Sequence, residues 1–188
     1  MKEEKTDFNA VLKFYERGMY QESFNTAMSL AKRGDADAQV FLGWLYLKGY
    51  AGQINEQEAL RWYMAGAAQG NTDAQYALGN YFKVKKDYLL AYEWYKLASD
   101  STHLPSLYNL GLLYEYGLGV KKDQQQALKL FRVAASKGHL FSKKKISMYL
   151  IKSKNLLRKL RGLLMFPSML VLAVWFVLRS RYDERTLE

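Results

Sequence analysis

Residues 107–138 read LYNLGLLYEYGLGVKKDQQQALKLFRVAASKG, and their reading decides the fold. Leu110-Gly111 is followed by Tyr114, then by Gly117 and Gly119-Val120, Asp123, Ala127, Phe131, Ala134-Ala135 and Gly138. Small, aliphatic and aromatic residues recur at helical spacing on both sides of a glycine-rich break. The stretch therefore predicts two packed helices joined by a tight turn.

The pattern recurs along the chain. Gly34, Gly70, Thr102 and Gly138 fall at intervals of 36, 32 and 36 residues. Four positions after each stands a small residue: Ala38, Ala74, Ser106 and Ser142. Eight and nine positions on come Leu42-Gly43, Leu78-Gly79, Leu110-Gly111 and Ile146-Ser147, and twelve on come Tyr46, Phe82, Tyr114 and Leu150. A period of this size marks a repeat array. In the first full unit, helix A is expected from Ala38 to Lys48 and helix B from Glu56 to Gln69, with Ala59, Trp62, Tyr63 and Ala67 inward. Ala91, Trp94, Tyr95 and Ala98 repeat the second set, and Ala127, Phe131, Ala134 and Ala135 the third. Small residues let the helices approach, aromatics fill the space, and the glycine after helix B supplies a left-handed cap. The second unit is shorter because its turn, 83–87, lacks four residues; solenoids absorb such changes in loops. Residues 7–33 form a weaker unit, expected as an N-terminal hairpin cap.

The run Leu110-Gly111-x-x-Tyr114-x-x-Gly117-x-Gly119-Val120-x-x-Asp123-x-x-x-Ala127 resembles the Sel-one-like repeat, a relative of the tetratricopeptide repeat. The first unit keeps Leu42-Gly43, Tyr46, Gly49, Ala59, Trp62 and Gly70, whereas the second lacks the Gly-x-Gly-Val turn. The resemblance spans residues 7–150. It implies a right-handed helical solenoid that binds proteins or peptides on its inner face, and no catalytic residues.

The 188 residues include 15 tyrosines and no cysteine, which removes disulfides, thiolate metal sites and a cysteine nucleophile. The net charge of +10 is unevenly spread. Residues 1–142 carry 17 basic and 15 acidic side chains, whereas 143–188 carry 11 and 3. Eight of the basic residues, Lys143, Lys144, Lys145, Lys152, Lys154, Arg158, Lys159 and Arg161, fall within 143–161 with no acid among them. Leucines at helical spacing accompany them, so a basic amphipathic helix on an anionic membrane surface is expected. Residues 162–178 contain no charge, which at 17 residues is the short end of a bilayer span. More basic residues precede this stretch than follow it, so the repeats are expected on the cytoplasmic side. The first residues lack an apolar signal region, and a bacterial inner membrane is the expected location. The expected architecture is all-α: a capping hairpin at 1–33, repeats at 34–142, a juxtamembrane helix at 143–161, a transmembrane helix at 162–179 and a short tail at 180–188.

Catalytic patterns are missing from the sequence. His103 and His139 each follow the repeat glycine position, where Asp35 and Asn71 stand in other units, and read as turn or cap residues. Gly117-Leu-Gly119 follows a helix rather than a strand and has no third glycine, unlike a dinucleotide loop. Asp35, Asp37, Glu56, Glu58 and Asp73 sit at helix starts, where they complement the dipole. No cofactor, metal, small-molecule substrate or nucleic acid is expected. The expected function is a membrane-anchored, non-enzymatic adaptor that holds a protein partner, itself a membrane protein, in envelope assembly, secretion or polysaccharide synthesis. Two other functions fit the same chain: an immunity protein against a toxin, and a non-catalytic subunit of a membrane enzyme. Exposed side chains of the A helices are the expected contacts, namely Gln39, Trp44, Gln75, Asn80, Tyr108 and Asn109.

Overall fold

The computed structural model describes residues 7–50 and 52–151. Among these, the chain forms nine helices and no strand: α1 Phe8–Glu16, α2 Tyr20–Lys32, α3 Ala36–Lys48, α4 Glu56–Ala68, α5 Thr72–Val84, α6 Tyr88–Asp100, α7 Leu104–Tyr116, α8 Gln124–Ser136 and α9 Leu140–Ile151. Consecutive helices pair into hairpins, and each hairpin stacks on the next.

Short polar residues start the helices. Asp7, Asp35, Asn55, Asn71, Asp87 and Asp123 each accept a hydrogen bond from a backbone N–H of the following first turn. Asp35 caps α3, which starts at Ala36, two residues ahead of the expected start at Ala38. Left-handed residues end the hairpin arms. Gly34, Gly70 and Gly138 have φ of +93°, +81° and +99°, and the equivalent Thr102 is forced to +60°.

The hairpin interiors follow one rule. The glycine of helix A lies against an aromatic of helix B: Gly43 on Tyr63, Gly79 on Tyr95, Gly111 on Phe131. Tyr95 and Phe131 are fully buried, as are Ala38, Ala74, Ser106 and Ser142 at the start of the A helices. Burying each ring stabilises the hairpin by about 2–3 kcal/mol. Tyr95 also donates its hydroxyl to Asn80 Oδ1 at 2.7 Å, which satisfies its one polar atom. At the N-terminal end α1 and α2 pair, and Ser23 Oγ donates to the Val11 carbonyl at 2.9 Å.

At the other end, α9 packs on α8 with Ser142, Ile146 and Ser147 buried. Residues 143–151 therefore continue the solenoid rather than starting a separate helix. Lys152, Lys154, Arg158, Lys159 and Arg161, the expected span at 162–179 and the tail at 180–188 lie outside the described residues. Among the described residues, no helix is long and apolar enough to cross a membrane.

Candidate binding groove on the inner face

The A helices α1, α3 and α5 touch one another across the stack, so they form its inner face. A groove of about 900 Å³ opens there. Its floor is apolar and aromatic: Val40, Phe41 and Trp44 from α3, Tyr76 and Ala77 from α5, with Phe8 closing one end. The helix polarity sets the charge of its two lips. Asp37 and Asp73, near the N-termini of α3 and α5, line one side, and Lys48 and Lys85, at the C-terminal ends, line the other.

The lip carboxylates are held by the next repeat. Asn71 Nδ2 donates to Asp37 Oδ1 at 2.8 Å, and His103 Nε2 lies 3.1 Å from Asp73 Oδ1. Both steps join a helix-capping residue to the acid of the preceding A helix. The opposite lip is tied by Glu56, which pairs with Lys85 at 2.7 Å and accepts from the Tyr81 hydroxyl at 3.0 Å. The Lys85 ammonium, with Tyr81, holds the Glu56 carboxyl below the usual range.

Four of the sequence-derived residues need re-placing. Gln39, Gln75 and Asn109 were expected to be exposed but are buried at 6, 5 and 7 %. Gln39 donates to the Ala31 carbonyl and accepts from Gln69, and Asn109 accepts from Lys83 Nζ at 3.2 Å. Gln39 and Asn109 thus join neighbouring hairpins instead of facing a partner, and Gln75 is buried with its Oε1 unpaired. Lys145 likewise turns inward: its Nζ lies 2.7 Å from Glu115 Oε2, and only 17 % of each side chain is exposed. Burial lowers the Lys145 pKa, but the Glu115 bond and charge outweigh this and the net shift is upward. A lysine held this way does not reach lipid headgroups. Lys143 is half-buried and Lys144 exposed.

Trp44 and Asn80 do line the groove. Tyr108 lies one repeat further on, half-buried, with its ring 5.3 Å from His139 and 5.6 Å from Phe131. Tyr76 holds the equivalent place against His103 and Tyr95. His139 Nδ1 accepts from the Ser142 backbone N–H at 3.3 Å, which is the cap role expected of it. His103 instead bridges Ser106 and Asp73. Sequence reasoning missed Phe41 and Tyr76; the available signal was that both sit one turn before an expected groove residue, Phe41 before Trp44 and Tyr76 before Asn80.

Stacked helical hairpins with glycine-aromatic interiors and a lined inner groove define a helical-repeat solenoid. The Sel1 repeat profile matches residues 36–71, 72–103 and 104–139, more than half of the chain, and the chain belongs to the Sel1 repeat family. It is similar to protein sel-1 homolog 2 of Mus musculus, at 33 % identity over an alignment of 145 residues that covers 64 % of this chain and 21 % of that protein. This chain thus spans about a fifth of that relative's length. Among solved structures, it resembles a Sel1 repeat protein from Oxalobacter formigenes, with a TM-score of 0.75 and 25 % identity, covering 85 % of this chain and 69 % of that one. It also resembles a protective antigen of uropathogenic Escherichia coli strains, with a TM-score of 0.72 and 25 % identity, covering 87 % and 38 %.

Proposed function

We propose that this chain is a non-enzymatic adaptor that grips a protein segment in the inner groove and holds it beside a membrane. The observation that carries the reading is the groove itself. Phe41, Trp44 and Tyr76 present aromatic surface on a floor shared by two repeats, with Asp37 and Asp73 on one lip and Lys48 and the Lys85–Glu56 pair on the other. Aromatic anchors in such a setting are the usual source of binding energy in protein interfaces. The tether is assigned to residues 162–178, which carry no charge, preceded by the basic run to Arg161. The excess of basic residues on the repeat side supports a cytoplasmic position for the repeats. Tethering raises the local concentration of whatever the groove holds, which favours a partner that is itself in the membrane.

The test is membrane fractionation of the full chain, followed by a high-salt wash and affinity purification. The adaptor reading expects the chain to stay with membranes and to bring down a membrane protein. Trp44→Ala should lower that recovery by about tenfold or more, with the helical circular dichroism spectrum retained. A chain that washes off in salt would remove the tether, and unchanged recovery by this variant would remove the groove.

A further inference from the structure

The edge formed by the N-terminal ends of the A helices changes chemistry along the solenoid. At the second and third positions after each hairpin-ending residue stand Ala36-Asp37, Thr72-Asp73, Leu104-Pro105 and Leu140-Phe141. The acids of the first two units give way to apolar pairs in the last two. Leu140 and Phe141 are 69 and 65 % exposed, with the Phe141 ring touching Tyr108 and His139 on its inner side only. The shallow hollow that they line with Leu104, Pro105, His103 and His139 contains Lys137 and no carboxylate. The exposed stripe continues along α9 through Lys144 and Met148, spaced four residues apart from Leu140, while Ser142, Ile146 and Ser147 face the stack. At 12 residues, α9 offers an outward face about 18 Å long, apolar with cationic interruptions.

We infer that α9 lies flat on an anionic bilayer surface, with Leu140, Phe141 and Met148 in the headgroup boundary and Lys137 and Lys144 on lipid phosphates. This rests on the tether assigned above and adds an orientation to it. Two features choose lipid over an acidic protein. The pattern is that of an interfacial helix, which joins a bulky apolar face to lysines that reach phosphate. The chain also passes from Ile151 directly into 152–161, with five more basic residues and no acid, and then into the uncharged stretch. Asp37, at the far end of the same edge, is repelled by such a surface, whereas Asp73 is engaged by His103 Nε2 at 3.1 Å. The last repeat therefore sits down while the groove between α3 and α5 stays clear of the headgroups and open to a partner.

The chain has no cysteine, so single reporters can be placed without background. Phe141→Cys and Met148→Cys, with Lys96→Cys and Val133→Cys as controls on α6 and α8, are labelled with an environment-sensitive dye in the full chain. Each is mixed with phosphatidylcholine vesicles, with and without phosphatidylglycerol, and vesicle binding is measured separately by co-sedimentation. The inference expects dye at 141 and 148 to brighten and be quenched by spin-labelled lipid, several-fold more than at 96 and 133, and more strongly with phosphatidylglycerol. Leu140→Asp with Phe141→Asp should abolish the signal at 148 while co-sedimentation persists. Co-sedimenting protein whose dyes at 141 and 148 stay in water would overturn the orientation and leave the tether standing. Failure to co-sediment would overturn both. Dyes already shielded without vesicles would show that protein, not lipid, covers this face, and would overturn the inference as well.

Discussion

A Cβ added to Gly111 would lie 2.5 Å from Phe131 Cε1, closer than packed atoms approach. The same 2.5 Å separates a Cβ at Gly79 from the Tyr95 ring. The glycine and the aromatic are therefore one unit of structure, repeated in the three hairpins from α3 to α8. Gly111→Ala should destabilise the protein by about 1–3 kcal/mol, as overpacking does. Adding Phe131→Leu should recover part of that loss, since residues in contact couple. Urea unfolding of the two single variants and the double variant checks this; simple additivity would show that the two positions act independently.

Thr102 occupies the hairpin-ending position that glycine holds in the other units, with φ of +60°. A β-branched residue in this region is strained by roughly 1–2 kcal/mol. Thr102→Gly releases the strain, although the freer unfolded chain takes back about 0.4–1 kcal/mol. The variant should gain about 0.5–1 kcal/mol in a urea or thermal titration. A loss of stability would show that the threonine side chain compensates for its backbone.

The repeat and its hairpins were legible because backbone geometry imposes them locally. Gly34, Gly70 and Gly138 are dictated by the left-handed turn, and Gly43, Gly79 and Gly111 by a neighbouring ring. The groove was only half legible. Neighbouring positions on a helix differ by about 100°, so Gln39 and Val40 look alike in sequence, yet one is buried between hairpins and the other lines the groove. Resolving them needs the curvature of the stack, which emerges only when the hairpins pack. Inter-repeat contacts were hidden for the same reason. One register position pairs Lys83 with Asn109 and, one step on, Glu115 with Lys145. Each partner lies a repeat away, so the basic run at 143–145 read as part of a membrane-surface helix.

The Glu115–Lys145 pair anchors the end of the stack, and Tyr149 donates to the same carboxylate at 2.6 Å. Removing one charge leaves the other partly desolvated. Glu115→Ala should cost about 1–2 kcal/mol, below the value for a fully buried pair because the site retains some solvent. The loss should concentrate in α9, where amide hydrogen exchange should speed up more than in α3 or α5. Uniform acceleration, or none, would contradict this role.

Two tyrosine pairs predict alkaline sensitivity. The Tyr92 hydroxyl lies 3.1 Å from that of Tyr114, and this contact, with burial, pushes Tyr114 up to about 12. Tyr15 is likewise pushed up to about 12, first by its bond to Tyr50. An unfolded tyrosine ionises near 10. The folded values are raised, so the contribution is complete below pH of about 10 and is lost as pH climbs through about 12. The thermal midpoint should fall over that window, and Tyr114→Phe should flatten the fall. A wild-type slope unchanged in that variant would contradict the assignment.

The central claim is that the inner groove, and not the outer surface, meets the partner. The most direct measurement places a photoreactive phenylalanine analogue at Ala77, on the groove floor, and separately at Val133, on α8, in membranes that hold the full chain. The account predicts one dominant crosslinked membrane protein from position 77, lost when Trp44→Ala is added, and none from position 133. Equal crosslinking from both positions, or crosslinking from 133 alone, would contradict it.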